Sequence, residues 1–184
     1  MKVTPTRLPE VLVVEPKVFG DERGFFTESW NQQRFDEATG VTARFVQDNQ
    51  SRSAGGVLRG IHYQVRQPQG KLVRVLAGRV FDVAVDLRRS SPTLGHWAGV
   101  ELTSDNMHQL WIPPGFGHGF LVLSRFADLL YKTTDYYAPE HERALAWNDR
   151  RVGIRWPLGD VPREPILSGK DAAAPSWDAC ELFD

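Results

Sequence analysis

The sequence predicts an all-β protein whose strands form a double-stranded β-helix, or jelly roll, with short peripheral helices and an irregular C-terminal segment. Three observations predict it. Most segments are short runs, apolar or alternating in polarity, separated by Gly, Pro, Asn or Asp at intervals suited to strands. At 184 residues the chain can bury a core of ordinary size as one domain, residues 1–184, without covalent staples. Short antiparallel strands must each bury a face against another sheet, which packed sheets achieve. An up-and-down barrel is the alternative architecture.

In chain order the expected strands are Val11–Val14, Phe25–Trp30, Phe45–Ser51, Val57–Val65, Lys71–Leu76, Val80–Leu87, Trp97–Leu102, Gln109–Ile112, Gly119–Leu123 and Asp128–Tyr137. One helix interrupts them: Asn31 can cap a run from Gln32 to Thr39 that Gly40 closes. From Ala138 onward the chain is rich in proline, and Trp147, Trp156 and Trp177 are expected to anchor a long tail over the strands.

Composition narrows the function. Lys and Arg number 22 against 23 Asp and Glu, so no net field draws the chain to nucleic acid or an anionic membrane. The single cysteine, Cys180, has no internal partner. No apolar run approaches the ~18 residues that span a bilayer, and the N-terminus lacks a secretory signal's apolar core. A cytoplasmic protein is the expectation.

Side chains alternate faces along a strand, so Arg59, Ile61, Tyr63 and Val65 should share one side and Gly60, His62 and Gln64 the other. Lys71 lies on the face of Val73 and Val75, where an ammonium reads either as an edge-strand gatekeeper or as a group with a partner or ligand. Along Val80–Leu87 the face with Phe81, Val83, Val85 and Leu87 is apolar, and Asp82, Ala84 and Asp86 face the other way. If the first face is the core, both aspartates are solvated. His118 sits in a glycine-rich turn, Pro113 to Phe120, that feeds a strand.

That turn, PPGFGHGF, resembles the second cupin motif, and GIHYQ resembles the first. Metal-binding cupins supply two histidines one residue apart and then a carboxylate. Here Gln64 holds the second histidine's place, and Arg66, Gln67 and Gln69 fill the stretch where the carboxylate belongs. Two histidines alone leave a first-row ion short of ligands, so no metal and no other cofactor is expected. His62 is then free for proton transfer, for which histidine's ordinary pKa near neutrality suits it. His96, His108 and His141 read as surface or structural residues.

A wider resemblance runs along nearly the whole chain. The stretches EPKVFGDERGFFTESWN, FVQDNQSRS, VLRGIHYQ, QGKLVRVLAGRVFDVAVDLR, WIPPGFGHGF, YKTTDYY, WND and LSGKDAAAP, in this order, resemble the dTDP-4-dehydrorhamnose 3,5-epimerase family. The resemblance implies a cupin fold and a dTDP-linked 4-keto-6-deoxy sugar inverted at C3 and C5 through enolates. It implies His62 as base, Asp171 as its carboxylate partner, Lys71 as the cation at the C4 oxygen and Tyr131 as the acid on the opposite face. On the residues alone, Asp171 reads as a loop cap and Tyr131 as a core tyrosine with a bonded hydroxyl.

For the substrate, the resemblance implies Arg59 on the diphosphate, with Gln47 and Asn49 bonding sugar, phosphate or base and Tyr136 or Tyr137 packing on the nucleotide. His118 and Asp82 would line the cavity, and Lys170 is a further phosphate ligand. Phe19, Arg23 and Glu28 would reach the nucleotide of a neighbouring subunit in a homodimer. The alternatives are an epimerase acting at one carbon only, a non-catalytic sugar-nucleotide binder, and a metal-dependent cupin.

Overall fold

A computed structural model of the chain describes residues 1–161 and 164–184. Strands β1 (Lys2–Pro5) and β2 (Leu12–Glu15) are followed by a hairpin, β3 (Val18–Asp21) and β4 (Gly24–Thr27), and by helix α1 (Gln32–Thr39). Then come β5 (Gln47–Ala54), β6 (Leu58–Gln64), β7 (Lys71–Ala77), β8 (Arg79–Asp86), β9 (Trp97–Thr103), β10 (Gln109–Ile112), β11 (Phe116–Val122) and β12 (Phe126–Thr133). The short β13 (Glu142–Ala144) and α2 (Gly169–Ala172) lie beyond them.

The strands form a six-stranded sheet, in the order β1-β2-β10-β7-β12-β5, and a five-stranded sheet, β13-β6-β11-β8-β9, with every pairing antiparallel. Neighbours such as β2 with β10 and β6 with β11 are remote in sequence. That order is a jelly roll and excludes the up-and-down barrel.

Helix α1 has the expected bounds. The Asn31 side chain accepts from the Arg34 N–H, and Gly40 ends the helix at φ 69° with its N–H on the Asp36 carbonyl. Phe35 is its one buried side chain, docked in an aromatic cluster with Trp30, Phe45 and Trp111 on the outer face of the six-stranded sheet. Removing that ring would cost about 3–5 kcal/mol.

Between the sheets lies the main core, with Val73, Val75, Ala84, Leu110, Phe120 and Leu129 among its members. A second cluster covers the outer face of the five-stranded sheet, where Leu58, Ile61, Val83 and Val85 meet Trp156 and Trp177 of the C-terminal tail. The tail is thus a lid of apolar anchors, as expected. It also makes the five-stranded sheet a buried layer on both sides. Asp82 and Asp86 are consequently wholly buried rather than solvated, because the apolar face of β8 packs under the tail while its other face looks into the barrel. Asp86 is satisfied by Arg88, Ser91 and Thr93.

Several bounds differ from expectation. The strand expected at Phe25–Trp30 is β4, which stops at Thr27 and leaves Trp30 to pack against Phe35. β3 and β4 pair with each other and leave Phe19, Phe25 and Phe26 exposed, Phe26 by 70 %. β12 ends at Thr133, so Tyr136 and Tyr137 stand on the loop after it. β11 begins at Phe116, so His118 lies inside a strand rather than in the turn before it. β13, within the supposedly irregular tail, pairs with β6.

Candidate active site

His62 lies on β6 directly across from His118 on β11, and beyond them the pairing slips. Phe120 faces Arg59, so two residues of β11 span three of β6. The bulge falls at Gly60, whose φ is +116°, and a Cβ there would stand 2.5 Å from the Gly119 Cα and 2.6 Å from the His118 carbonyl oxygen. Only glycine fits so close a crossing. The extra residue reverses the alternation: Leu58 joins Ile61 under the tail, and Arg59 joins His62 on the cavity. Simple alternation put Arg59 with Ile61 and Tyr63, and the bulge overturns that placement.

The cavity between the sheets measures about 180 Å³. Its five-stranded wall presents Arg59, His62, His118 and Glu142, and its six-stranded wall presents Lys71 and Tyr131, with Tyr137 at the rim. Asp171 lies behind His62, with Oδ1 2.5 Å from Nε2 of the ring, and Asp82 holds the His118 Nε2 at 3.0 Å from both carboxylate oxygens. Each imidazole thus has a buried carboxylate behind it. Burial pushes the Asp171 carboxyl up, but hydrogen bonds from His62 and Ser168 outweigh this and hold it below the usual carboxylate range.

Lys71 is 9 % exposed on β7, which is flanked by β10 and β12. A central strand rules out the gatekeeper reading. Burial lowers its pKa to about 8, against the pull of Asp82 and Glu142. Its ammonium makes no ion pair or hydrogen bond among the described residues, and neither does the Tyr131 hydroxyl. Burial raises the Tyr131 phenol above its ordinary value, which nearby Arg59 partly opposes. The reading of Tyr131 as a core residue with a bonded hydroxyl does not hold.

The other expected residues fall into two groups. Gln47 and Asn49, on β5, bond each other, and the Gln47 side-chain Oε1 accepts from the Tyr137 N–H, so they brace the cavity rim without lining it. Lys170 is drawn to Glu142 at 2.5 Å, and Tyr136 is exposed beside the rim. Phe19, Arg23 and Glu28 are not brought to this cavity. Arg23 pairs with Asp21 and Glu28 with Arg34, and Phe19 and Arg23 belong to a hairpin that forms a two-stranded sheet separate from the two sheets that enclose the cavity.

Glu142 escaped sequence reasoning. It receives Lys170 and the Tyr137 hydroxyl, at 2.9 Å for the latter, and these hold its carboxyl below the ordinary range although burial pushes it up. Nothing local marks it, since only the β13–β6 pairing delivers it. Gln64 escaped as well. Its amide nitrogen donates to the carbonyls of Gln67 and Tyr136 and its oxygen accepts from the Ala138 N–H, so it fastens the loop that carries Tyr137. Among the described residues, no three or more His, Cys, Asp or Glu side chains converge as the ligands of an ion would.

Groups so arranged suit a reaction in which a proton leaves carbon on one side and returns on the other. Fold and cavity together define a cupin-type isomerase. Comparison then supplies the particular kind. The family model for dTDP-4-dehydrorhamnose 3,5-epimerase matches residues 5–179, and the chain belongs to that family. It is 58 % identical over 183 residues to a dTDP-4-dehydrorhamnose 3,5-epimerase of Pseudomonas aeruginosa, covering 100 % of this chain and 99 % of the relative. To that of Salmonella typhimurium it is 56 % identical over 185 residues, covering all of both. A crystal structure of a dTDP-6-deoxy-D-glucose-3,5-epimerase from Legionella pneumophila, in complex with dTDP-4-keto-L-rhamnose, superposes with a TM-score of 0.95 at 52 % identity, over 99 % of this chain and 97 % of that one.

Proposed function

We propose that this cavity converts dTDP-4-dehydro-6-deoxy-D-glucose to dTDP-4-dehydro-L-rhamnose by inverting C3 and C5, in dTDP-L-rhamnose biosynthesis, with His62 as base and Tyr131 as acid. One observation carries the reading: His62 stands on one sheet while Lys71 and Tyr131 stand on the sheet facing it. A sugar ring between them meets base and acid on opposite faces, which inversion requires.

The hydrogens on C3 and C5 are acidic because the electron pair left behind delocalises onto the C4 oxygen. His62 takes the proton, Asp171 stabilises the resulting imidazolium, and Lys71 faces the enolate oxygen. The Tyr131 phenol then protonates the carbon from the other side. Imidazolium and phenolate return to neutrality by exchange with water, and the cycle repeats at the second carbon. His118 and Asp82 keep the cavity polar, and Arg59 with Lys170 meets the diphosphate.

The nucleotide end is completed by a second copy of the chain. Phe19, Phe25 and Phe26 form an exposed aromatic patch on a hairpin that also bears Arg23, with Glu28 just beyond it. Such a patch marks an interaction surface. In a homodimer it would lie over the neighbour's cavity mouth, near Gln47, Asn49, Tyr136 and Tyr137. The whole chain acts as one domain in the cytoplasm, and no helix among the described residues is long and apolar enough to cross a membrane.

Incubation with dTDP-4-dehydro-6-deoxy-D-glucose in deuterium oxide tests the function. Deuterium should enter both C3 and C5, and His62→Ala should abolish both while sparing dTDP affinity. Label at one carbon alone would select a single-position epimerase, and dTDP binding without label would select a non-catalytic binder.

A further inference from the structure

Asp171 is 3 % exposed and sits in α2, a single turn set off from the barrel strands by the long tail, yet it must hold the His62 ring in one orientation. A carboxylate bonded only through Oδ1 could swing about its own bond and let the imidazole turn. Ser168 prevents this. Its hydroxyl lies 2.7 Å from Asp171 Oδ2, and the same oxygen accepts the Asp171 backbone N–H at 3.1 Å. With the oxygen's acceptor side engaged, its one proton is aimed at Oδ2. Oδ1 takes His62 and, at 3.4 Å, the Gly60 N–H. Among the described residues Ser168 is the donor to Oδ2, so each carboxylate oxygen has its own anchor.

We propose that Ser168 is a positioning residue for the reaction: its hydroxyl fixes the Asp171 carboxylate, and through it the His62 ring, at the angle that proton abstraction needs. The inference rests on the epimerase reading and adds a residue that touches neither sugar nor nucleotide. Its competitor is a plain role, in which Ser168 only caps α2 through the acceptor side of its oxygen.

The two roles separate because a helix start tolerates glycine almost as well as serine, whereas positioning needs a donor. Ser168→Thr keeps donor and cap, Ser168→Ala loses both, and Ser168→Gly barely weakens the helix start but cannot donate to Asp171, and it adds no charge beside it. Ser168 is itself exposed, so these changes leave the core packing alone. The other titratable groups facing the pair include Arg59, Lys71, His118, Tyr131, Tyr137, Glu142 and Lys170, and none of them is altered.

Positioning predicts that kcat falls about tenfold or more in both Ser168→Ala and Ser168→Gly, the scale of one lost charge-assisted hydrogen bond, with KM and dTDP affinity within about threefold. Ser168→Thr should stay within about threefold of the parent. A less stabilised Asp171 binds a proton more tightly, so the acid limb of the pH dependence of kcat should move to higher pH in the Ala and Gly variants. The titration midpoint of the His62 ring, followed by NMR, should move the same way. Parental kcat and titration in Ser168→Gly, or a loss of kcat with no movement of the acid limb, would overturn the proposal. The NMR titration reads the His62–Asp171 pair even in the absence of turnover, so a failure of this inference is distinguishable from a failure of the epimerase reading.

Discussion

Lys71→Met should make the protein more stable and nearly inactive, and both effects follow from one buried ammonium. The Lys71 pKa of about 8, against an ordinary 10.5, already includes the attraction of Asp82 and Glu142, and burial outweighs that attraction. The depression corresponds to about 3 kcal/mol of cost to the folded state while the lysine is charged in both states. Below pH 8 the cost is present in full. Between pH 8 and 10.5 the unfolded chain binds the proton and the folded chain does not, so parental stability rises with pH and the advantage of Lys71→Met fades.

Denaturant unfolding at pH 7 should therefore show Lys71→Met more stable by up to about 3 kcal/mol, with a much smaller gap near pH 10. The same variant should lose about 10²–10³-fold in deuterium exchange at C3 and C5, the usual scale for removing one group that stabilises an oxyanion. In the parent, exchange should fall above about pH 8, as the lysine loses its proton. Tyr131 is not the source of that limb, since burial places its titration above the ordinary 10. Lys71→Arg keeps its charge and should lose the limb whatever its absolute rate. Loss of stability in Lys71→Met at pH 7, or an alkaline limb that persists in Lys71→Arg, would refute the reasoning.

Tyr131→Phe should impair net inversion more than exchange, because abstraction by His62 precedes the missing reprotonation; equal losses would count against Tyr131 as the opposing acid. Gln64→Leu strips the partner from the buried Ala138 N–H and from the Gln67 and Tyr136 carbonyls, and should cost about 2–3 kcal/mol in unfolding experiments. The double variant Phe25→Ser, Phe26→Ser should elute as a monomer in size-exclusion chromatography and bind dTDP at least about tenfold more weakly, since it removes most of the hairpin's exposed aromatic surface. Retention of a dimer with parental affinity would detach the hairpin from both roles.

Much of this protein was legible from residues in order along the chain. Helix α1 could be bounded at both ends because Asn31 and Gly40 act within one turn of their own positions. β10 could be bounded likewise, as Gln109–Ile112. The motifs around His62, Lys71, His118 and Tyr131 named groups that the fold does bring to one cavity. Tertiary structure alone decided which way several of them face. The bulge at Gly60 exists only because β6 crosses β11 at Gly119, and it moves Arg59 to the cavity. Asp82 and Asp86 are buried because a tail that begins some fifty residues later covers the other side of β8. Glu142 enters the site through a three-residue strand with no apolar signature, and Asp171 reaches His62 across 109 positions. Caps and turns act through neighbouring backbone atoms and can be read locally, whereas the face a strand shows depends on pairing with distant segments that no local pattern records.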